Sequence, residues 1–254
     1  MSKTELIMNS NPKSMFSEAI KTVRTNLAFS NLSGNMRMII VTSPEAGDGK
    51  SFIASNLAVA YAQEKKNVLI VDCDLRKGRQ HDIFGVNNIG TRGYSNLILN
   101  FNKYSKKPDK LDEKIDEYIL ETGIRNVSLI PSGPTPPNPI ELLNSQSNEN
   151  LLFELKRKFD VVILDCPPVV GLSDTLVLTK YSDSNIIVVS NKKTKLESLE
   201  KTKKTFEQIE APITGVIINK ASVKDNNYYG YYCNDYYYYN EDGTKKKKGR
   251  KSKR

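Results

Sequence analysis

The strongest constraint on this chain is a turn. The segment Thr42-Ser43-Pro44-Glu45-Ala46-Gly47-Asp48-Gly49-Lys50-Ser51 leaves an apolar, strand-like run at Arg37–Thr42 and opens a helix-forming stretch from Lys50 to about Glu64. Glycines one residue apart let the backbone bend through conformations that side chains resist, and the peptide N–H groups from Gly47 to Ser51 can then converge at the positive end of the helix. Such a nest of donors fits phosphate oxygens. Lys50 is placed to bridge the β- and γ-phosphates of ATP, and the Ser51 hydroxyl to ligate Mg²⁺. Gly47, Asp48, Gly49, Lys50, Ser51 and the following Phe52 are therefore the expected nucleotide-binding residues. The strict phosphate-loop pattern has glycine where this chain has Pro44, but the Gly-Asp-Gly-Lys-Ser end is intact. A chance glycine turn is the bland alternative.

The rest of the body repeats the same alternation. Strand-like runs at Asn67–Asp72, Val127–Ile130, Phe159–Asp165, Asn185–Ser190 and Ile213–Asn219 are accompanied by a helical stretch from about Lys195 to Ile209. Near-continuous apolar strands alternating with helices predict an α/β fold of the phosphate-loop nucleotidase type, a mostly parallel sheet with helices on both faces. Phe16, Ile20, Val23 and Leu27 recur at helical spacing, so residues 1–35 read as a leading helical segment packed on the body or on a neighbour. Residues 36–220 then form the nucleotide-binding domain and 221–254 a tail. From Thr91 to Asn126 the pattern weakens into Lys-rich sequence and predicts an irregular surface excursion with one or two short helices.

Two strands end in acid. Leu69-Ile70-Val71-Asp72-Cys73-Asp74 places two carboxylates, one residue apart, at the tip of an apolar strand, and Val161-Val162-Ile163-Leu164-Asp165 places a third. Carboxylates at the end of a buried strand are costly to desolvate, and a divalent cation between nucleotide phosphates supplies the compensating charge. Ordinary capping of the next turn would explain any one of them, but not all three beside a phosphate loop.

Composition excludes several classes. The formal charge is +9, but Lys245, Lys246, Lys247, Lys248, Arg250, Lys251, Lys253 and Arg254 carry eight positive charges, leaving 30 basic against 29 acidic residues elsewhere. The body is thus nearly neutral, and the basic run reads as a solvated tail with no nucleic acid expected as partner. Cys73, Cys166 and Cys233 are far apart in sequence and lack metal-ligand spacing, so they read as reduced cytosolic thiols. No apolar run approaches the roughly 20 residues of a membrane span. His81 is the only histidine, which leaves Ser-His-Asp or Cys-His catalysis without support. The tail holds Tyr228, Tyr229, Tyr231, Tyr232, Tyr236, Tyr237, Tyr238 and Tyr239 and almost no aliphatic residues, so disorder is expected when it is unbound.

Together the three motifs resemble the Walker A, Walker A′ and Walker B signatures of the bacterial tyrosine kinases that control capsule and exopolysaccharide synthesis. The likeness extends to Glu18-Ala19-Ile20-Lys21-Thr22-Val23-Arg24, to Leu129-Ile130-Pro131-Ser132-Gly133, to Pro136-Pro137-Asn138-Pro139-Ile140-Glu141-Leu142-Leu143 and to the terminal tyrosines. It implies an ATP- and Mg²⁺-dependent protein-tyrosine kinase that autophosphorylates its tail tyrosines. Asp72 would act as base or orienter of the incoming hydroxyl, and Asp74 and Asp165, with Ser51, would hold the metal. The catalytic set is then Lys50, Asp72, Asp74 and Asp165. The resemblance also implies a ring of subunits in which a Glu-x-x-Arg-x-x-Arg helix touches the neighbour. Here Glu18 and Arg24 match, while the middle position is Lys21, which lacks the two-pronged geometry of arginine. A solvated face with local charge pairing competes with that reading. The implied partners are a membrane adaptor of the polysaccharide co-polymerase type, holding the kinase at the inner face of the cell membrane, and a cognate tyrosine phosphatase. The rivals are a partition or Min-type ATPase switch, which resembles its own kind in a signature lysine where this chain has Glu45, and a nucleotide-dependent scaffold without transferase activity.

Overall fold

The computed structural model describes residues 6–30, 36–87, 92–106, 110–191 and 193–221. The chain divides into a body, residues 1–219, and a second unit from Lys220 onward, of which only Lys220 and Ala221 are described. The eight tail tyrosines expected to accept phosphate, with Cys233 and the basic run, lie outside the described residues.

Seven strands build the body: β1 (Met38–Thr42), β2 (Val68–Asp72), β3 (Leu120–Glu121), β4 (Val127–Ile130), β5 (Val161–Asp165), β6 (Ser184–Ser190) and β7 (Gly215–Asn219). They form one sheet in the order β3-β4-β2-β5-β1-β6-β7. Every pairing is parallel except that of the short β3 with β4. β1, β2, β5 and β6 are buried along their whole length, as strands covered on both faces must be. Their side chains alternate between two layers. Ile39, Val41, Ile70, Ile163 and Val188 face one core, and Met38, Ile40, Leu69, Val71 and Leu164 face the other.

The first core lies under α3 (Lys50–Gln63), which is buried from Ile53 to Ala62 and carries alanine at 54, 58, 60 and 62. Small side chains on both flanks let two further elements approach it: α1 (Ile7–Ser10) and α2 (Met15–Ser30). Ile20 and Leu27 of α2 enter this core, the Phe16 ring meets Phe52 at 4.9 Å, and the Met8 amide donates to Asn56 Oδ1 at 2.9 Å. The leading helix therefore packs on the body of its own chain.

The second core corrects the reading of residues 91–126. In place of a surface excursion, α5 (Tyr94–Ser105) buries Tyr94, Leu97, Ile98 and Phe101 against α8 (Gln146–Lys158) and the sheet, followed by α6 (Leu111–Asp116). The i, i+3, i+4, i+7 stripe is present in the sequence, but asparagines, serines and lysines dilute it. Of two shorter helices, α4 (Gln80–Phe84) places Phe84 in the first core and α7 (Pro139–Leu143) places Leu143 in the second, while α9 (Leu196–Gln208) covers Ile187 and Val189 through Phe206.

Candidate active site

β2 and β5 run in register up to their last residues, where Asp72 faces Asp165 across the ladder, and β5 in turn pairs with β1, which leads into the glycine turn. The turn and the acids predicted from separate motifs therefore meet at the carboxyl edge of the sheet, where ligands of open α/β sheets bind.

The turn is held by its own aspartate. Asp48 is buried; its Oδ2 accepts from the Glu45 amide at 2.9 Å and its Oδ1 from the Thr194 hydroxyl at 2.7 Å. Asn219, the last residue of β7, donates from Nδ2 to the Asp48 carbonyl at 2.9 Å. Gly49 has φ +100°, and a Cβ there would lie 2.1 Å from Asn219 Nδ2, so both the conformation and the space require glycine. The Asp48 carboxylate thus shapes the loop from within, leaving phosphate binding to the backbone. Phe52 is likewise divided: its ring belongs to the core with Phe16, and only its peptide N–H is available to a nucleotide.

Lys50 gathers the predicted metal ligands. Its Nζ lies 3.1 Å from Asp74 Oδ2, 3.3 Å from Asp165 Oδ1 and 3.3 Å from Ser51 Oγ. One ammonium therefore contacts all three residues that the sequence assigns to Mg²⁺, a stand-in cation that shows the donor set fits a small positive ion. Among the described residues no three acidic, cysteine or histidine side chains form a ready-made metal cage. A magnesium ion shared with phosphates takes only one or two carboxylates from protein, so this donor set suits it.

The electrostatics are unbalanced. Asp72, Asp74 and Asp165 are all buried, and Lys50 is the cation the structure pairs with two of them. Burial, reinforced by the neighbouring Asp165 carboxylate, pushes Asp72 well above the usual carboxylate range, against the Gln80 amide and Lys50, which pull it down. Burial pulls the Lys50 ammonium down, but Asp165, Asp74 and Asp72 together overcome it and hold the group above its ordinary value. The residues next in line, Cys73 and Cys166, are free and buried; burial first, and then the neighbouring Cys166, pushes the Cys73 thiol up. A buried thiol kept protonated in this way, as at Cys73, fills space and is unreactive.

Several partners carry no sequence motif. Gln80, fully buried, donates from its backbone to Asp72 Oδ2 at 2.9 Å and from Nε2 to Asp165 Oδ2 at 2.7 Å. Arg76 Nε meets the buried Asp174 at 2.8 Å, tying the loop after β2 to the segment after β5. Gly78 sits where a Cβ would be 2.1 Å from Ser132 Oγ and 2.8 Å from Asp72 Oδ2, so this wall of the site closes directly onto the acid. The only available signal for Gln80 was its place in the stretch Arg79-Gln80-His81 that follows the second motif.

On α2, Glu18 pairs with Lys21 at 2.7 Å, and both are partly exposed. Arg24 turns inward instead: it donates to the Ala60 carbonyl at 2.7 Å and meets Glu64 at 2.6 Å, both on or beside α3. The three residues expected at a subunit contact thus divide into one outward pair and one arginine engaged within its own chain.

Comparison with known proteins agrees with this geometry. The family model described as AAA domain matches residues 36–217. Tyrosine-protein kinase YwqD of Bacillus subtilis (strain 168) is 34% identical over 227 residues, covering 89% of this chain and 90% of the relative. Among solved structures, the chimerical protein CapA2B2 superposes with a TM-score of 0.75 at 37% identity, covering 86% of this chain and 90% of that one. The septum site-determining protein MinD of Pyrococcus horikoshii, solved with Mg-ADP, reaches a TM-score of 0.56 at 22% identity over 72% of this chain and 69% of its own, and shares the fold alone. With a phosphate loop, three convergent aspartates and this extent of likeness, the chain belongs to the bacterial tyrosine-protein kinases.

Proposed function

We propose that this kinase transfers the γ-phosphoryl group of ATP to Tyr228, Tyr229, Tyr231, Tyr232, Tyr236, Tyr237, Tyr238 and Tyr239 of its own tail, and through that cycle regulates capsule or exopolysaccharide synthesis. The observation that carries the reading is the convergence of Ser51, Asp74 and Asp165 on Lys50 Nζ within 3.3 Å. When nucleotide binds, the backbone of Gly47–Ser51 cradles its phosphates and Lys50 exchanges carboxylate partners for phosphate oxygens. Mg²⁺ held by Ser51, Asp74 and Asp165 would neutralise charge spreading over the transferred group. Asp72, at the tip of β2 beside Asp165, is placed to orient the tyrosine hydroxyl and, in its ionised form, to take its proton late in the transfer; burial and Asp165 strengthen its hold on that proton. Asp48 and Gly49 keep the loop in shape throughout.

Tail and site need not belong to one copy. From Lys220 to Tyr238 is 18 residues, which extend to at most about 60 Å, enough to reach an adjacent subunit. The exposed Glu18–Lys21 pair supports a role for α2 at such a contact, and the family likeness supports a ring. Each phosphate adds about −1.5 to −2 charges, so several on one tail repel one another and favour release. No described helix is long and apolar enough to cross a membrane. The family likeness supports a separate membrane adaptor at the inner face of the cell membrane as the proposed activator, with a tyrosine phosphatase the proposed antagonist.

The test is incubation with Mg·ATP, with the adaptor's cytoplasmic tail supplied, followed by mass-spectrometric mapping of modified residues. Phosphotyrosine within residues 228–239, absent from Lys50→Met, is the expected result. ATP hydrolysis without phosphotyrosine would make the protein a nucleotide switch instead.

A further inference from the structure

The buried hydrogen bonds around the acids converge on one neutral side chain. Gln80 opens α4, and its surface is fully buried. Its Nε2 lies 2.7 Å from Asp165 Oδ2 and 3.2 Å from the Ser51 carbonyl, both acceptors, which fixes the amide orientation. Its Oε1 lies 2.9 Å from the Ser55 hydroxyl, and its backbone N–H reaches Asp72 Oδ2 at 2.9 Å. One residue therefore spans the first turn of α3, the tip of β2 and the tip of β5.

We infer that Gln80 is a positioning residue for the phosphoryl transfer: it occupies one oxygen of Asp165 and one of Asp72, so that the remaining Asp165 oxygen is turned toward Lys50 and the metal. This rests on the reading of Asp165 as a metal ligand. The argument is one of charge as well as geometry. An arginine or lysine at this place would neutralise Asp165 and weaken its hold on a cation. An apolar residue would leave a buried carboxylate oxygen without a donor, free to rotate or to take up a proton. A neutral amide orients the carboxylate while leaving its charge for the ligand, as the hydrogen-bond partners of metal-binding carboxylates do. Contact with Ser51 couples this orientation to the phosphate loop, so that the loop and both acids move as one unit. The side chain hydrogen-bonds Asp165, the Ser51 carbonyl and Ser55, and so acts through those residues, which distinguishes it from the catalytic residues.

The experiment uses the full chain with ADP and reads Mn²⁺ binding by electron paramagnetic resonance, with tail phosphorylation measured in parallel. Gln80→Met keeps the volume and removes the donor; Mn²⁺ affinity and the phosphorylation rate are expected to fall about 10- to 100-fold. ADP affinity without metal should remain near that of the unmodified protein. Ser55→Ala, which removes the support of Oε1 together with a hydroxyl contact to the Ser51 carbonyl, should shift Mn²⁺ affinity in the same direction by a smaller factor, and it decides the matter if Gln80→Met does not fold. Unchanged Mn²⁺ affinity in Gln80→Met, or in Ser55→Ala where that variant must decide, overturns the inference. Asp165→Asn serves as the reference: if it leaves Mn²⁺ binding intact, the metal-ligand reading itself fails. If it abolishes binding while Gln80→Met does not alter it, only the role of Gln80 falls.

Discussion

The glycine turn and the acid cluster lie side by side at the same sheet edge, yet they are built on opposite terms. In the turn, the buried Asp48 carboxylate accepts from an amide and a hydroxyl while Asn219 donates to the Asp48 backbone carbonyl, so the hydrogen bonds that shape the loop are made within the protein. In the cluster, three buried carboxylates are arranged around Lys50 and one neutral amide. The difference teaches where a protein spends stability. A phosphate cradle must be rigid before its ligand arrives, whereas a metal and phosphate site gains its power from charge left uncompensated until then.

The comparison can be broken at either side. The largest effect is expected from Lys50→Met, which removes the cation of the cluster and should lower tail phosphorylation by about a hundred- to a thousandfold, read as phosphotyrosine per chain over time. Asp48→Ala attacks the finished side. It strands the Glu45 amide and the Thr194 hydroxyl and should cost about 1–3 kcal/mol, visible as a lower melting temperature together with weaker ATP binding.

Asp72→Asn should separate the two regions most cleanly. Burial and Asp165 raise the Asp72 pKa, so the folded nucleotide-free protein holds a proton that the unfolded chain has already released. This contribution to stability is present below the ordinary aspartate value and is lost as pH rises through the raised one. The asparagine variant should therefore melt higher than the parent at neutral pH, lose that part of the pH dependence, and be inactive as a kinase. A lower melting temperature at neutral pH would refute the picture of a strained cluster. The smallest effect belongs to α2, where Lys21→Ala should change stability by less than about 1 kcal/mol because its partner Glu18 is exposed. Arg24→Ala should cost more, since Arg24 serves the Ala60 carbonyl and Glu64 at once.

The sheet and the acids at its carboxyl edge were legible because their signals are local. Val161–Leu164 followed by Asp165 says both strand and tip, and the Gly-Asp-Gly-Lys-Ser run states its own geometry. Strand order was not legible: nothing in the sequence says that β5 inserts between β1 and β2, although that insertion is what brings Asp165 opposite Asp72. α5 gives a weak sequence signal because its apolar stripe is narrow and interrupted by polar residues, and α8, which ends in three consecutive basic residues at Lys156–Lys158, is masked in the same way by its polar residues. Gln80, Thr194 and Asn219 act through contacts more than twenty residues away in sequence, and such contacts leave no periodic trace. Phe52 shows the reverse case, since a place in the motif says nothing about its ring, which packs with Phe16 against the core.

The ammonium of Lys50 seated among Ser51, Asp74 and Asp165 has a thermodynamic consequence. On the proposed metal site, loading the enzyme would be an exchange of cations: a free divalent ion would gain the carboxylates only by displacing a lysine that then has nowhere favourable to go, unless a polyphosphate arrives to receive it. Metal and nucleotide should consequently bind with positive cooperativity, each lowering the cost of the other's entry.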